Sequence, residues 1–206
     1  MVTEIFENLF NRYPALLECK KDIYEAYKLM KICYDNGGKI LCCGNGGSSA
    51  DCDHLVGELM KGFLKKRPLD SEEKNLFSDK FVADGLQKGL PAISLTSQSG
   101  LMTAFMNDCD AALIYAQQVY AYANKNDLLI GFSTSGNSKN IVYALDSTNA
   151  LSVDSIAITG NRNSKCSEKA TVTIKIPENE TYKIQELTLP IYHCLAAMIE
   201  ETYFTE

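Results

Sequence analysis

Residues Lys39 to Leu59, KILCCGNGGSSADCDHLVGEL, read as a buried strand that breaks into a glycine- and serine-rich turn and then launches a helix. Ile40 to Cys43 is a short apolar run bounded by turn residues, which suits the inner strand of an α/β sheet rather than a surface element. Gly44, Gly46 and Gly47 let the backbone take positive φ and approach a ligand closely. Asn45, Ser48 and Ser49 add polar groups beside a helix N-terminus. Such a terminus presents unpaired N–H groups and partial positive charge, so the turn favours an anion.

Other glycine loops fit less well. A Walker A loop requires Gly-Lys-Ser/Thr, and no lysine follows Gly44 to Ser49. A dinucleotide fingerprint needs a third glycine or alanine and an acid at the end of the second strand. Here Ser49 takes the third place, and the next apolar run, Ala92 to Leu95, ends in Thr-Ser-Gln-Ser. A nucleotide cofactor is therefore not expected.

The rest of the chain repeats the alternation of strand and helix. Apolar runs at Pro91–Leu95, Leu128–Phe132, Ser155–Ile158 and Val172–Ile176 join Ile40–Cys43 as five short strands. Helical patterns lie over 96–104, 111–123, 139–149 and 181–203. The expected fold is a three-layer, doubly wound α/β sandwich on a five-stranded parallel sheet, with all of residues 1–206 in one domain. Two extra N-terminal helices occupy residues 1–37, with Pro14 in the first turn of the second and Gly37-Gly38 ending it. In the second helix Ile23, Tyr27, Met30 and Tyr34 form an apolar stripe that suits either the core or a subunit interface. Residues from about 63 to 89 read as a helical insertion, with an Asp or Ser cap at Asp70-Ser71 and one amphipathic face made by Leu76, Phe77, Phe81 and Leu86.

Composition excludes several roles. The chain carries 20 basic against 26 acidic residues and no lysine cluster interleaved with aromatics, which argues against nucleic-acid binding. Its densest basic run, Lys65-Lys66-Arg67, reads as a solvated turn. No apolar run approaches a membrane span, and MVTEIFENLFNRY lacks a signal pattern, so the expectation is a cytoplasmic protein without a membrane partner. Eight cysteines without CxxC spacing sit in apolar patterns and read as reduced, mostly buried thiols.

A second anion cradle follows the third strand, where Ser133, Thr134, Ser135 and Ser138 place four hydroxyls in six residues at a helix start. In a doubly wound sheet this loop and the glycine turn lie together beyond the carboxyl ends of the strands, where ligands bind. Titratable chemistry is sparse. The chain has two histidines, His54 and His193. His54 and Glu58 are four apart and share a helix face, and a carboxylate amid Val56, Gly57, Leu59 and Met60 pays for desolvation unless it has a task or a partner. Gln185 and His193 are eight apart on the last helix, about 80° around its axis by periodicity, with Pro190 between them.

Taken together, CGNGGSSAD, His54-xxx-Glu58, FSTSGNSKN and IQELTLPIYH resemble the phosphoheptose isomerases of the sugar isomerase (SIS) superfamily over nearly the whole chain. The resemblance implies aldose-ketose isomerisation of a phosphorylated sugar, typically sedoheptulose 7-phosphate, by a homotetramer with sites at subunit interfaces. It places the phosphate on Ser48, Ser133, Thr134, Ser135 and Ser138 within the Gly46-Gly47 turn, and the sugar against Asn45, Asn107 and Asp108, with Gln185 alongside. Glu58 and His193 become the proton carriers. It also implies zinc, one ion per subunit, on His54, Glu58, Gln185 and His193. Proton transfer through an enediol needs only a carboxylate base and an imidazole acid, with no redox cofactor.

The chain departs from that pattern in the Lys65 to Gly89 insertion and in two substitutions. Tyr182 stands where an acid is usual, and Lys61-Gly62 where an arginine is usual. Two rivals are a non-catalytic SIS module that senses a sugar phosphate and a scaffold similar to the bacterial initiator-associating protein, neither of which needs both Glu58 and His193. A zinc hydrolase built on His54 and Glu58 lacks a third strong ligand in a matching motif.

Overall fold

The computed structural model describes residues 1–204. Strands β1 (Ile40–Cys43), β2 (Ala92–Ser94), β3 (Leu128–Ser133), β4 (Asp154–Gly160) and β5 (Val172–Ile176) form one sheet, all pairs parallel, in the order β2-β1-β3-β4-β5. Every residue of β1 and β3 is buried, as an inner strand covered on both faces must be.

Side chains along each strand alternate between two cores. Ile40 and Cys42 face a layer built from α1 (Val2–Arg12), α2 (Lys20–Asp35), α3 (Gly47–Met60) and α10 (Thr181–Tyr203). Leu41 and Cys43 face the opposite layer, which contains α7 (Ile114–Tyr122) and α8 (Lys139–Leu151). The period of two explains why four consecutive apolar residues were needed in β1. The result is the expected three-layer sandwich. Ile23 and Met30 of α2 are fully buried and Tyr27 nearly so, which resolves the stripe in favour of core. The stretch Pro14–Cys19 is a 3₁₀ turn rather than the start of α2, and it buries Leu16 and Cys19 beneath α1. Among the described residues no helix is long and apolar enough to cross a membrane, and all eight cysteines are free, with Cys109 alone exposed.

The strand order reverses direction between β1 and β3, which opens a crevice at their carboxyl ends. The turn after β1 and the loop after β3 face each other across it. Asn45 and Asn140 join the two by reciprocal amide hydrogen bonds of 3.0 and 2.8 Å.

The insertion departs from expectation. Asp70 does cap a helix, with a reciprocal bond from Glu73, but that helix, α4 (Ser71–Lys74), stops after four residues and a second, α5 (Lys80–Gly85), follows. Leu76 and Phe81 are more than four-fifths exposed, and Phe77 and Leu86 are also in solvent. The face drawn from their spacing is not a core face. Ion pairs of Lys74 with Asp84, and of Lys88 with Asp70 and Glu73, tie the insert together instead.

The basic run at its base is not a solvated turn. Arg67 is 2% exposed and its Nε donates to Glu200 Oε1 at 2.8 Å, while Lys65 pairs with Glu201 at 2.6 Å. Glu200 also accepts from the backbone N–H groups of Phe63, Leu64 and Lys65 at 2.8, 2.7 and 3.1 Å. The other guanidinium nitrogens donate to the carbonyls of Leu59 and Glu58, the end of α3. A buried pair satisfied on all sides is neutral to stability, but losing one partner strands the other without solvent. Glu200→Ala should therefore cost about 3–5 kcal/mol in a denaturant titration. A loss below about 1 kcal/mol, the scale of an exposed pair, would show that this anchor does not hold the segment.

Candidate active site

The glycine turn works by space as much as by dihedral angle. Only Gly46 takes positive φ, at 55°, whereas Gly44 and Gly47 keep ordinary backbone. A Cβ on Gly44 would lie 2.4 Å from the Ser48 carbonyl oxygen, and one on Gly47 would lie 2.7 Å from Gln185 Nε2. The turn is thus held tight under Ser48, which is buried, and Gln185 of α10 leans on its far side. Tyr115 of α7 fixes it from below by donating its hydroxyl to the Gly44 carbonyl at 2.6 Å.

Across the crevice, Ser133 donates to Ser138 Oγ at 3.1 Å, and Ser135 Oγ accepts the Asn137 N–H at 3.1 Å. Neither Gly46, which caps α3, nor Ser138, which caps α8, gives its helix a side-chain cap bond. Two helix N-termini with uncapped donors therefore meet at the crevice among hydroxyls, the chemistry of a phosphate site. Thr134 and Ser135 also line a cavity of about 230 Å³ with Arg162, Asn163 and Asn179.

Two turns along α3 the titratable residues gather. His54 Nε2 is 3.2 Å from Glu58 Oε1 and 3.4 Å from His193 Nε2, with the two imidazoles edge-on at 4.9 Å. Phe63, held by the Glu200 anchor, lies 5.4 Å from the His193 ring. Burial, then the neighbouring His54, push the His193 pKa below the usual imidazole value, and Glu58 opposes them. Glu58 is 14% exposed, and its buried Oε2 takes no hydrogen bond. Lys61 Nζ is 3.5 Å from that oxygen and donates to the Gly62 carbonyl at 3.1 Å.

The same atoms test the metal expectation. His54, Glu58 and His193 bring one ligand atom each within 4.8 Å of one another. Two imidazoles and a carboxylate are a donor set that zinc accepts, and an orphaned buried carboxylate oxygen suits a cation beside it. The residues fit the ion. Gln185 stands apart from them: it packs on Gly47, and the eight residues to His193 span roughly 12 Å of helix. Within one chain it belongs with the phosphate cradle. Asn45 lies at the crevice, but Asn107 and Asp108, the last residues of α6 (Ser99–Asp108), are exposed and bonded to each other at 2.8 Å.

Two contributors escaped the sequence. Tyr192 is buried, and its hydroxyl lies 3.0 Å from His54 Nδ1 and 3.3 Å from Asp51 Oδ1. Asp51 could have been found, since it lies three before His54 on the same face.

A family model described as SIS domain matches residues 87–199, and a second one, also described as SIS domain, matches 13–88. The phosphoheptose isomerase of Burkholderia pseudomallei (strain 1710b) is 36% identical over 168 residues, 82% of this chain and 75% of that protein. A solved phosphoheptose isomerase structure from Francisella tularensis superposes with a TM-score of 0.76 at 29% identity, covering 97% of each chain. One from Neisseria gonorrhoeae gives 0.71 at 28%, covering 94% of this chain and 98% of that one. The fold agrees with these relatives, and the chain belongs to the phosphoheptose isomerase family of SIS-domain proteins.

Proposed function

We propose that the protein converts sedoheptulose 7-phosphate to D-glycero-D-manno-heptose 7-phosphate through an enediol, as one SIS unit carrying a helical insertion at 63–89. The observation that carries this reading is the meeting of Glu58 with His54 and His193, two turns from an uncapped, hydroxyl-lined crevice. A sensor or scaffold has no use for that cluster. Ser48, Ser133, Thr134, Ser135 and Ser138, with the Gly46-Gly47 turn and Gln185, hold the phosphate and so orient the sugar. Asn45, Asn107 and Asp108 take the sugar hydroxyls.

Glu58 removes the proton on C1 of the ketose while His193 gives one to the C2 carbonyl oxygen, which yields the enediol. Returning a proton to C2 and removing the one on O1 leaves the aldehyde at C1, with no net oxidation. Burial and the neighbouring His54 lower the His193 pKa, which favours the neutral ring. Zinc held by His54, Glu58 and His193 would add Lewis-acid polarisation of the sugar carbonyl.

A homotetramer with sites at subunit interfaces extends the reading. Its support is the exposed Leu76 and Phe81 of the insertion. A cytoplasmic location is supported by eight unpaired cysteines, a pattern of reducing compartments.

Glu58→Gln should lower kcat for aldose formation by roughly 10² to 10⁴ while leaving phosphate binding, read by calorimetry, intact. Turnover unchanged in that variant would remove Glu58 from the chemistry. Ser135→Ala and Ser138→Ala should instead raise KM about 10- to 100-fold, the worth of a hydrogen bond to a charged group, with kcat nearly constant. Sedimentation should give four times the 22.8 kDa chain mass.

A further inference from the structure

We propose that Asp51 and Tyr192 are positioning residues that set the tautomer of His54, protonating Nδ1 so that the Nε2 lone pair faces Glu58 and His193. The inference rests on the assignment of His54 to the reactive cluster.

A phenol hydroxyl has one proton to give and lone pairs to receive. The Tyr192 oxygen lies within hydrogen-bond distance of two groups, Asp51 Oδ1 at 3.3 Å and His54 Nδ1 at 3.0 Å, and cannot donate to both. An ionised carboxylate has no proton of its own and can only accept, so the phenol proton goes to Asp51. The phenol oxygen is then left as an acceptor, which only a protonated Nδ1 can fill. A neutral His54 in that state carries its lone pair on Nε2.

The surroundings hold this arrangement in register. Asp51 and His54 are three residues apart on α3, so both side chains rise from one face of the helix. Tyr192 is 1% exposed, and its ring is wedged edge-on against His54 at 5.5 Å and Phe132 at 6.3 Å. Its hydroxyl has no room to swing to water. On the other side of the imidazole, Nε2 meets Glu58 Oε1 at 3.2 Å and His193 Nε2 at 3.4 Å. A lone pair aimed there receives a cation or a mobile proton. The opposite tautomer would spend Nε2–H on Glu58 and leave nothing to ligate. Outer groups that orient a ligating histidine in this way typically contribute 10- to 100-fold to metal affinity.

The two histidines of the chain make the test direct. Long-range ¹H–¹⁵N spectra of the metal-free, full-length protein at about pH 8.5, some two units above the usual imidazole value, report which nitrogen of each ring bears the proton. A His193→Asn spectrum identifies the His54 signals. The wild type should show His54 protonated at Nδ1 and bare at Nε2. Tyr192→Phe, which keeps the ring, and Asp51→Ala, which frees the phenol proton for Nδ1, should both shift His54 toward the Nε2–H form. Zinc affinity measured by competition with a chelating dye should fall about 10- to 100-fold in both. A wild-type His54 protonated at Nε2, or a tautomer unmoved in the two variants, overturns the proposal. Asp51→Ala leaves Tyr192 packed, so its spectrum decides the question even where loss of the buried hydroxyl disturbs folding. Wild-type protein that binds no zinc yet shows the tyrosine-dependent tautomer would defeat the metal reading and leave this one standing.

Discussion

The active centre depends on one buried guanidinium. Arg67 donates to the last carbonyls of α3 and to Glu200 of α10, so a single side chain ties the ends of the two helices that carry Glu58 and His193. Its charge lies at the negative end of the α3 dipole, where a cation is favoured, and its planar fork serves several acceptors at once. Four N–H groups reach the Glu200 carboxylate, so the ion has lost its water without losing its partners. At the opposite end the same helix pair closes where Gly47 offers no Cβ to Gln185. Between these two contacts α3 and α10 have little freedom to part, and His54 meets His193 between them.

This arrangement separates the hydroxyl-lined crevice from the His54, Glu58 and His193 cluster. The crevice at the strand reversal is a property of topology, since any parallel sheet in this order opens there. Glu58 stands about three turns along α3, the helix that leaves that crevice, and His193 reaches the same cluster from α10. Gly46 and Ser138 give α3 and α8 no side-chain cap, which leaves donors at both N-termini for an anion.

Much of this was legible because it is written in local pattern. Inner strands such as Ile40–Cys43 and Leu128–Ser133 must be apolar throughout, and a glycine turn between strand and helix has few structural uses. His54 and Glu58 share a face by spacing alone. What stayed hidden is what depends on partners far along the chain. Arg67 meets Glu200 across 133 residues, and nothing in Lys65-Lys66-Arg67 tells a buried cation from a solvated one. Leu76, Phe77, Phe81 and Leu86 have helical spacing, yet the segment around Asp79 breaks the helix and no core lies opposite. Gln185 and His193 share a helix, and only the position of α3 shows that they serve different ends of it.

The departures from the family pattern act at those same two ends. Tyr182 lies in the first turn of α10, half exposed, with Lys183 over its ring at 5.8 Å, and so stands near the cradle rather than the histidines. Lys61 stands one turn past Glu58 and approaches its orphaned oxygen at 3.5 Å without hydrogen-bond geometry. An arginine there could grip both carboxylate oxygens in a fork, whereas a lysine ammonium is a hydrated point charge on a flexible stem. The substitution balances the carboxylate and leaves its lone pairs free for a proton or a metal. Tyr182 and Lys61 are therefore the two positions to separate from the cluster, whose His54, Glu58 and His193 are all present.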